Sequence, residues 1–180
     1  SNLYCDGKLV LNLTIPKDIT LINANAFIGC QSITELTVHD GVTSIEAGAF
    51  DSCTSLVKVD LGQGVTKIGN FAFYACKNLT SIKIPDSVTT IGDWVFNSCS
   101  SLQSATIGEG VTYIGAKVFE NCSVMAEINY NAVECANFNK VNDVFNKAGA
   151  SKNGITVNIG AKVKKIPAFM FYVDSNNLAY

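Results

Sequence analysis

The chain has 180 residues, of which 48% are apolar, and its 13 basic and 15 acidic side chains give a net charge of −2. This composition excludes an intrinsically disordered chain, which combines low hydrophobicity with high net charge. It also argues against a nucleic-acid binder, which needs a basic surface. The sequence has no apolar run long enough to predict a membrane-spanning helix, and we expect no signal peptide within these residues.

A 23-residue internal repeat, the step from Cys30 to Cys53, is the clearest feature of the sequence. A fixed period in this range is typical of stacked-repeat proteins, in which each unit contacts only its neighbours. Four columns of residues keep this step over five units, which predicts a continuous stacked core. The columns are Cys30, Cys53, Cys76, Cys99 and Cys122; Phe27, Phe50, Phe73, Phe96 and Phe119; Ile22, Ile45, Ile68, Ile91 and Ile114; and Ile19, Val42, Val65, Val88 and Val111.

Each repeat combines a strand pattern with a pattern closer to a helical turn. In the unit at 42–64, the segment from Leu56 to Leu61 ends with alternating apolar and polar residues, as in a half-buried strand. A Gly-Gln-Gly turn follows. Positions 45, 49, 50 and 53 are apolar at nearly helical spacing, which predicts a short helical turn. We therefore expect an α/β repeat of about seven rungs, with strands near 13–15, 36–38, 59–61, 82–84, 105–107, 128–130 and 157–159.

One unit is longer than the others. Residues 9–130 are regular, 131–154 carry six extra residues, and 155–180 form a final partial repeat of one domain spanning 1–180. In the longer unit, Phe138, Val141, Phe145 and Ala148 have helical spacing and Gly149 follows as a stop signal, which predicts one longer helix. This insertion is either a tolerated loop or part of a binding face. We expect Phe171 and Leu178 to cover the last rung of a fragment of a longer surface protein.

The segment Leu79–Cys99 follows the pattern L-x-x-L-x-L-P-x-x-V-T-x-I-G-x-x-A-F-x-x-C almost position by position. This pattern closely resembles that of the BspA-type bacterial surface leucine-rich-repeat family. The resemblance implies a curved leucine-rich-repeat solenoid, with parallel strands on its concave face and short helical turns and extended pieces opposite. It also implies an extracellular or cell-surface protein of adhesive character.

Seven cysteines are present, five of them in the inward column. Their expected spacing permits disulfides, but the position suits a small buried hydrophobe, so we favour a ladder of packed thiols over disulfides or a metal. Cys5 and Cys135 lie outside the column, and we expect them to be the reactive thiols. His39 has no nucleophile motif nearby and is expected to be a solvated turn residue. We therefore predict no enzyme activity, no metal and no cofactor.

Two surfaces are candidate binding sites. Phe71 and Trp94 occupy outward positions on consecutive rungs, with Tyr74 and Tyr113 close by and Phe169 in the same column. Exposed aromatic residues of this kind mark interaction sites, although these rings could instead stack to shield the flank. The strand face is the less favoured site, because it offers only short, polar residues of mixed charge, among them Glu35, Lys58, Asp60 and Lys83.

The predicted function is that of a non-catalytic module that binds a protein or glycan on another cell or in the extracellular matrix. The alternative is a structural spacer that has no ligand of its own.

Overall fold

The computed structural model describes residues 2–5, 7–138, 142–151, 154–168, 170 and 171. Within these ranges all regular secondary structure is β-strand, and none of the strands is longer than four residues. The strands are β1 Tyr4–Cys5, β2 Lys8–Leu9, β3 Asn12–Thr14, β4 Leu21–Ile22, β5 Glu35–Thr37, β6 Ser44–Ile45, β7 Lys58–Asp60, β8 Lys67–Ile68, β9 Ser81–Lys83, β10 Thr90–Ile91, β11 Ser104–Ile107, β12 Tyr113–Ile114, β13 Glu127–Tyr130 and β14 Thr156–Ile159.

The chain winds as a solenoid with two faces of parallel strands. One face is the five-stranded sheet β4-β6-β8-β10-β12, in which each strand has two residues. The other face consists of a three-stranded sheet, β3-β5-β7, and a four-stranded sheet, β9-β11-β13-β14. Along the regular part, each residue pairs with its equivalent in the next repeat, as in Leu36 beside Val59. A small antiparallel hairpin, β1-β2, precedes the stack.

About five turns of the solenoid are complete, which corrects the predicted count of about seven. Strands occupy all seven predicted positions on the longer-stranded face, but only five turns also carry the second, two-residue strand. After β13 the chain reaches the level of the second face at 131–136 without forming a strand. Its backbone still bonds the turn before, because the amide of Ala136 donates to the carbonyl of Thr112 over 2.9 Å.

The alternation in each strand explains the core. In β5, β7 and β9 the central residue is buried and both flanking residues are exposed, as side chains on a strand point alternately to opposite faces. Apolar residues of both sheets and of the turns between them form one continuous buried cluster along the stack. Stability therefore comes from contacts between neighbouring turns.

The predicted short helical turns are wrong, because no helix occurs in the described residues. Two positions in every unit, four residues apart, have the left-handed backbone conformation, which a right-handed helix cannot accommodate. In addition, the amide of Phe50 donates to the carbonyl of Ala72 in the next turn over 2.8 Å rather than to a carbonyl of its own turn. The left-handed residues are Asn25, Gly29, Gly48, Ser52, Phe71, Ala75, Trp94, Ser98, Lys117, Asn121, Asp143 and Lys147.

The helix predicted within 131–154 is also absent from the described residues of that segment, and Val141 lies outside them. Asp143 and Lys147 repeat the pair of left-handed positions that Lys117 and Asn121 occupy in the turn before. Phe145 stacks on Phe119, with ring centroids 5.4 Å apart. The turn is therefore the same as in the regular units. The extra residues lie on either side of it.

Candidate ligand-binding surface

Three aromatic side chains form a cluster on the turns between the two strand faces. Phe71 stacks on Trp94 with ring centroids 5.9 Å apart and an interplanar angle of 18°. Tyr74 meets Phe71 edge-on at 5.8 Å. Phe71 is 40% exposed, and Tyr74 and Trp94 are half-buried. The structure thus brings together three of the four aromatic residues predicted for the outer edge, here called the aromatic cluster. Phe169 lies outside the described residues.

The backbone beneath this cluster is strained. Phe71 and Trp94 have φ values of 58° and 61°, whereas the equivalent positions of the preceding turns hold Asn25 and Gly48. Glycine and asparagine tolerate the left-handed region, while a bulky side chain there is an outlier. Core packing does not require the two rings, since Ala72 and Val95 beside them already face inward and are fully buried.

A lysine and a buried carboxylate border the aromatic cluster. The Lys117 Nζ lies 4.8 Å from the centre of the Trp94 ring, which is a cation–π distance, and 3.5 Å from Glu120 Oε1. Glu120 is 7% exposed and accepts hydrogen bonds of 2.8 Å from the side-chain amides of Asn97 and Asn146. The carboxylate is therefore paired, and it holds Lys117 in place beside the indole.

Tyr113 lies apart from the aromatic cluster, in β12, and is 48% exposed. It lines a shallow groove of about 370 Å³, here called the polar groove. Its other polar lining residues are Glu46, Lys67, Asn70, Thr90 and Asp93. The groove adjoins the aromatic cluster, because Asn70 and Asp93 immediately precede Phe71 and Trp94 in the chain.

Hydrogen bonds between turns fix the polar groups of the groove. Asn70 Oδ1 accepts the amide of Asp93 over 2.9 Å, and Asp93 Oδ1 accepts the amide of Ala116 over 2.8 Å. Glycine makes this possible, since a Cβ at Gly92 would lie 2.4 Å from Asn70 Oδ1 and one at Gly115 would lie 2.4 Å from Asp93 Oδ1. The polar side chains therefore have defined positions without any ligand.

The remaining charges of the groove form a pair. Glu46 accepts a 2.6 Å hydrogen bond from the Ser44 hydroxyl and forms an ion pair with Lys67 at 3.3 Å. The Ser44 hydrogen bond, together with Lys67, lowers the pKa of the Glu46 carboxyl below its usual value although slight burial opposes this. Glu46 is therefore ionised at neutral pH.

The four residues predicted on the strand face are all exposed. Glu35 lies opposite Lys58 in the register of β5 and β7, and Asp60 ends β7. Lys83 ends β9, in the neighbouring sheet. No ion pair joins these side chains in the described part of the chain. The structure shows a solvated, charged strip formed by these four residues.

The cysteine and phenylalanine columns lie in the interior. Successive rings from Phe27 to Phe145 stack with centroids 5.1–5.6 Å apart. The Cys76 thiol donates to the carbonyl of Phe50 over 3.3 Å, and Cys53, Cys99 and Cys122 make the same contact with the turn before. Burial raises the pKa of Cys122 to about 12, and all six cysteines whose side chains are described carry free thiols.

Cys135 and the single histidine have structural surroundings. Cys135 is 1% exposed and burial raises its pKa, so the expectation of a reactive thiol there is wrong. The side chain of Cys5 lies outside the described residues. The His39 ring accepts the amide of Gly41 at Nδ1 and contacts the carbonyl of Pro16 through Nε2 at 2.9 Å. His39 therefore bridges two turns rather than standing free in solvent.

Lys117 beside the aromatic cluster, and Asn70 and Asp93 in the polar groove, were not among the predicted site residues. Lys117 occupies the same column as Phe71 and Trp94, on the turn that follows Trp94, so the period itself could have placed it beside the indole. Asn70 and Asp93 replace the alanines found at 24, 47 and 116 of the same column. Two consecutive polar replacements in an alanine column were the available signal.

The described residues contain no cluster of three or more potential metal ligands. These residues form no helix, and therefore none that is long and apolar enough to cross a bilayer.

Comparisons with known proteins agree with this architecture. The profile of the family described as BspA type Leucine rich repeat region matches residues 2–126 in six copies. The crystal structure of a Treponema pallidum leucine-rich repeat protein, TpLRR, is 26% identical with a TM-score of 0.74, covering 88% of this chain and 72% of that one. No curated protein matches the chain at a significant level.

Two further solved structures are longer than this chain. A leucine-rich cell surface protein of Faecalibacterium prausnitzii is 31% identical with a TM-score of 0.65, and the match covers 67% of this chain and 32% of that protein. The pneumococcal vaccine antigen PcpA is 20% identical with a TM-score of 0.68, covering 91% of this chain and 44% of PcpA. The latter similarity establishes the shared fold alone.

Proposed function

Because the chain belongs to the BspA-type leucine-rich-repeat family, we propose that it is a non-catalytic binding module of a secreted or cell-surface protein. Its ligand is a protein or a glycan on another cell or in the extracellular matrix, and it contacts that ligand through the aromatic cluster. The surface location draws support from the F. prausnitzii relative, which is described as a cell surface protein.

One observation carries this proposal. Phe71 and Trp94 are large rings held at a surface on left-handed backbone, where the turns before use Asn25 and Gly48. Such a conformation costs about 1–3 kcal/mol per residue and is concentrated at functional sites. Aromatic side chains also supply much of the binding energy of protein interfaces. The fold requires the left-handed backbone in every unit, and a ligand that covers these rings accounts for large aromatic residues at positions that favour glycine or asparagine.

The experiment compares the parent chain with a Phe71→Ala/Trp94→Ala variant on immobilised matrix proteins and surface glycans. A Lys58→Ala variant, which changes the exposed strand face instead, serves as the matched control, and equal melting temperatures establish equal folding. Saturable binding by the parent and the control, lost in the aromatic variant, is the expected result. Binding that survives in the aromatic variant refutes the assignment of the site.

The second candidate function is a structural spacer. It is favoured by the strand face, whose exposed side chains are short or charged, and by the continuous stack of core rings. Absence of binding to every immobilised ligand is the outcome that supports the spacer and contradicts the binding module.

A further inference from the structure

We propose that the polar groove is a binding site for a neutral carbohydrate, with Tyr113 as the ring on which the sugar stacks. This inference rests on the proposed binding function and narrows its ligand class. It concerns a different set of residues from the aromatic cluster, so the two can fail separately.

The chemistry of the lining matches that of a sugar. A pyranose ring has an apolar face of C–H groups and an edge of hydroxyls that both donate and accept hydrogen bonds. Tyr113 offers an aromatic side chain in a residue that is 48% exposed. Beside it lie an amide, a hydroxyl and two carboxylates, from Asn70, Thr90, Asp93 and Glu46.

Asn70 and Asp93 each have a hydrogen-bonding atom that is available to a ligand. Asn70 uses Oδ1 to accept the Asp93 amide, and its side-chain NH₂ makes no hydrogen bond within the described residues. Asp93 uses Oδ1 to accept the Ala116 amide, and Oδ2 remains as an acceptor there. A donor from one turn therefore lies next to an acceptor from the following turn, an arrangement that suits neighbouring hydroxyls of one sugar.

The groove is pre-organised and has a suitable size. Its volume of about 370 Å³ lies at the lower end of the range of small-molecule sites, about 300–1,000 Å³. The side chains of Asn70 and Asp93 are held by hydrogen bonds between turns, so little conformational entropy is lost when a ligand binds. The groove is open on one side, which lets a short oligosaccharide extend past its ends.

The charge of the groove favours a neutral ligand. Glu46 and Lys67 neutralise each other at 3.3 Å, which leaves the Asp93 carboxylate as the net charge of the lining. A sialylated or uronic-acid chain would place a second negative charge beside Asp93, and like charges repel. The site is therefore expected to prefer uncharged sugars.

The repeat supplies substitutions that should preserve the fold. Alanine occupies the position of Asn70 in other turns, at Ala47 one turn before and at Ala116 two turns after, and Thr90 occupies the position of Tyr113 one turn before. Asn70→Ala and Tyr113→Thr therefore replace each groove residue with one that the same solenoid already accommodates. Lys83→Ala on the strand face is the control.

The experiment titrates the parent chain with cellotriose, maltotriose, xylotriose and tri-N-acetylchitotriose, and with trigalacturonate as the acidic comparator, using calorimetry and protein NMR. We expect saturable binding of at least one neutral trisaccharide. The Asn70→Ala and Tyr113→Thr variants should each bind it at least tenfold more weakly, and Lys83→Ala should bind it as the parent does. Trigalacturonate should bind more weakly than the best neutral sugar.

The outcomes separate this inference from the proposed function. If no neutral sugar binds, or if both groove variants bind as the parent does, the carbohydrate site is refuted. If, in that case, the chain still captures an immobilised protein through Phe71 and Trp94, the binding function stands with a protein ligand. If sugar binding depends on the groove but not on Phe71 and Trp94, the carbohydrate site stands by itself, and the immobilised-protein assay alone decides whether the aromatic cluster contacts a second ligand.

Discussion

Replacing Phe71 by glycine and, separately, by alanine isolates the energy of its left-handed backbone. Both substitutions remove the ring and its contacts with Trp94 and Tyr74, so these losses cancel when the two variants are compared. The two variants then differ in free energy of unfolding only through the effect of a Cβ atom at a φ of 58°.

The magnitude follows from two opposing terms. A residue with a Cβ costs about 1–2 kcal/mol in the left-handed region relative to the right-handed one, whereas glycine does not pay this. Glycine loses more backbone entropy on folding, which costs it about 0.5–1 kcal/mol relative to alanine. We therefore expect Phe71→Gly to be more stable than Phe71→Ala by about 0.8 kcal/mol, the difference between the midpoints of those two terms.

Equilibrium unfolding in urea, monitored by circular dichroism, measures this difference. The matched control is the same pair of substitutions at Lys83, an exposed residue of strand β9. There the glycine variant should be less stable than the alanine variant, because glycine loses more backbone entropy on folding and gains nothing from a left-handed conformation. If alanine is the more stable substitution at Phe71 as well, the backbone there is not strained, and backbone strain does not connect the aromatic cluster with a binding function.

Three further predictions concern the core. Burial raises the pKa of the Cys53 and Cys122 thiols from 9.0 to about 12, so the unfolded chain ionises first and stability should fall as pH rises from about 9 towards 12. Urea midpoints across that range measure the fall, which Cys53→Ala should lessen. Phe96→Ala should lower the free energy of unfolding by about 3–5 kcal/mol. Phe27→Ala should lower it less, because Phe27 is only half-buried and its ring stacks on a single neighbour. Thermal melts of the two variants test this order. Glu120→Gln should destabilise by about 1–3 kcal/mol, since it leaves amide donors facing each other, and an unchanged melting temperature would contradict the buried network.

The sequence by itself determined which residues share a column and which columns are buried. A fixed period forces equivalent side chains into neighbouring positions of a stack, whatever the exact path of each turn. The alternation in each strand placed Leu36 inside and Glu35 outside. The proximity of Phe71 and Trp94 follows from the same period, because both occupy one column on consecutive turns.

Only the tertiary structure decided the form of the turns. Apolar spacing at 45, 49, 50 and 53 fits a helical turn, but spacing reports which residues face inward and not which hydrogen bonds they make. Alternate amides of these turns donate to the next turn of the solenoid, and two left-handed residues per unit permit this path. Ser52, Phe71 and Trp94 gave no signal of it, since such residues rarely adopt that conformation.

The tertiary structure also decided where the isolated residues belong. Cys135 lies outside every periodic column, so the sequence could not show that the irregular segment after β13 folds back and buries it. Tyr113 lies in β12, on the face of two-residue strands, and only the stack reveals that it borders a groove with Asn70 and Asp93 instead of joining Phe71 and Trp94. Periodicity determines neighbours along the stack, whereas the path of the chain within each turn determines which side chains share a surface.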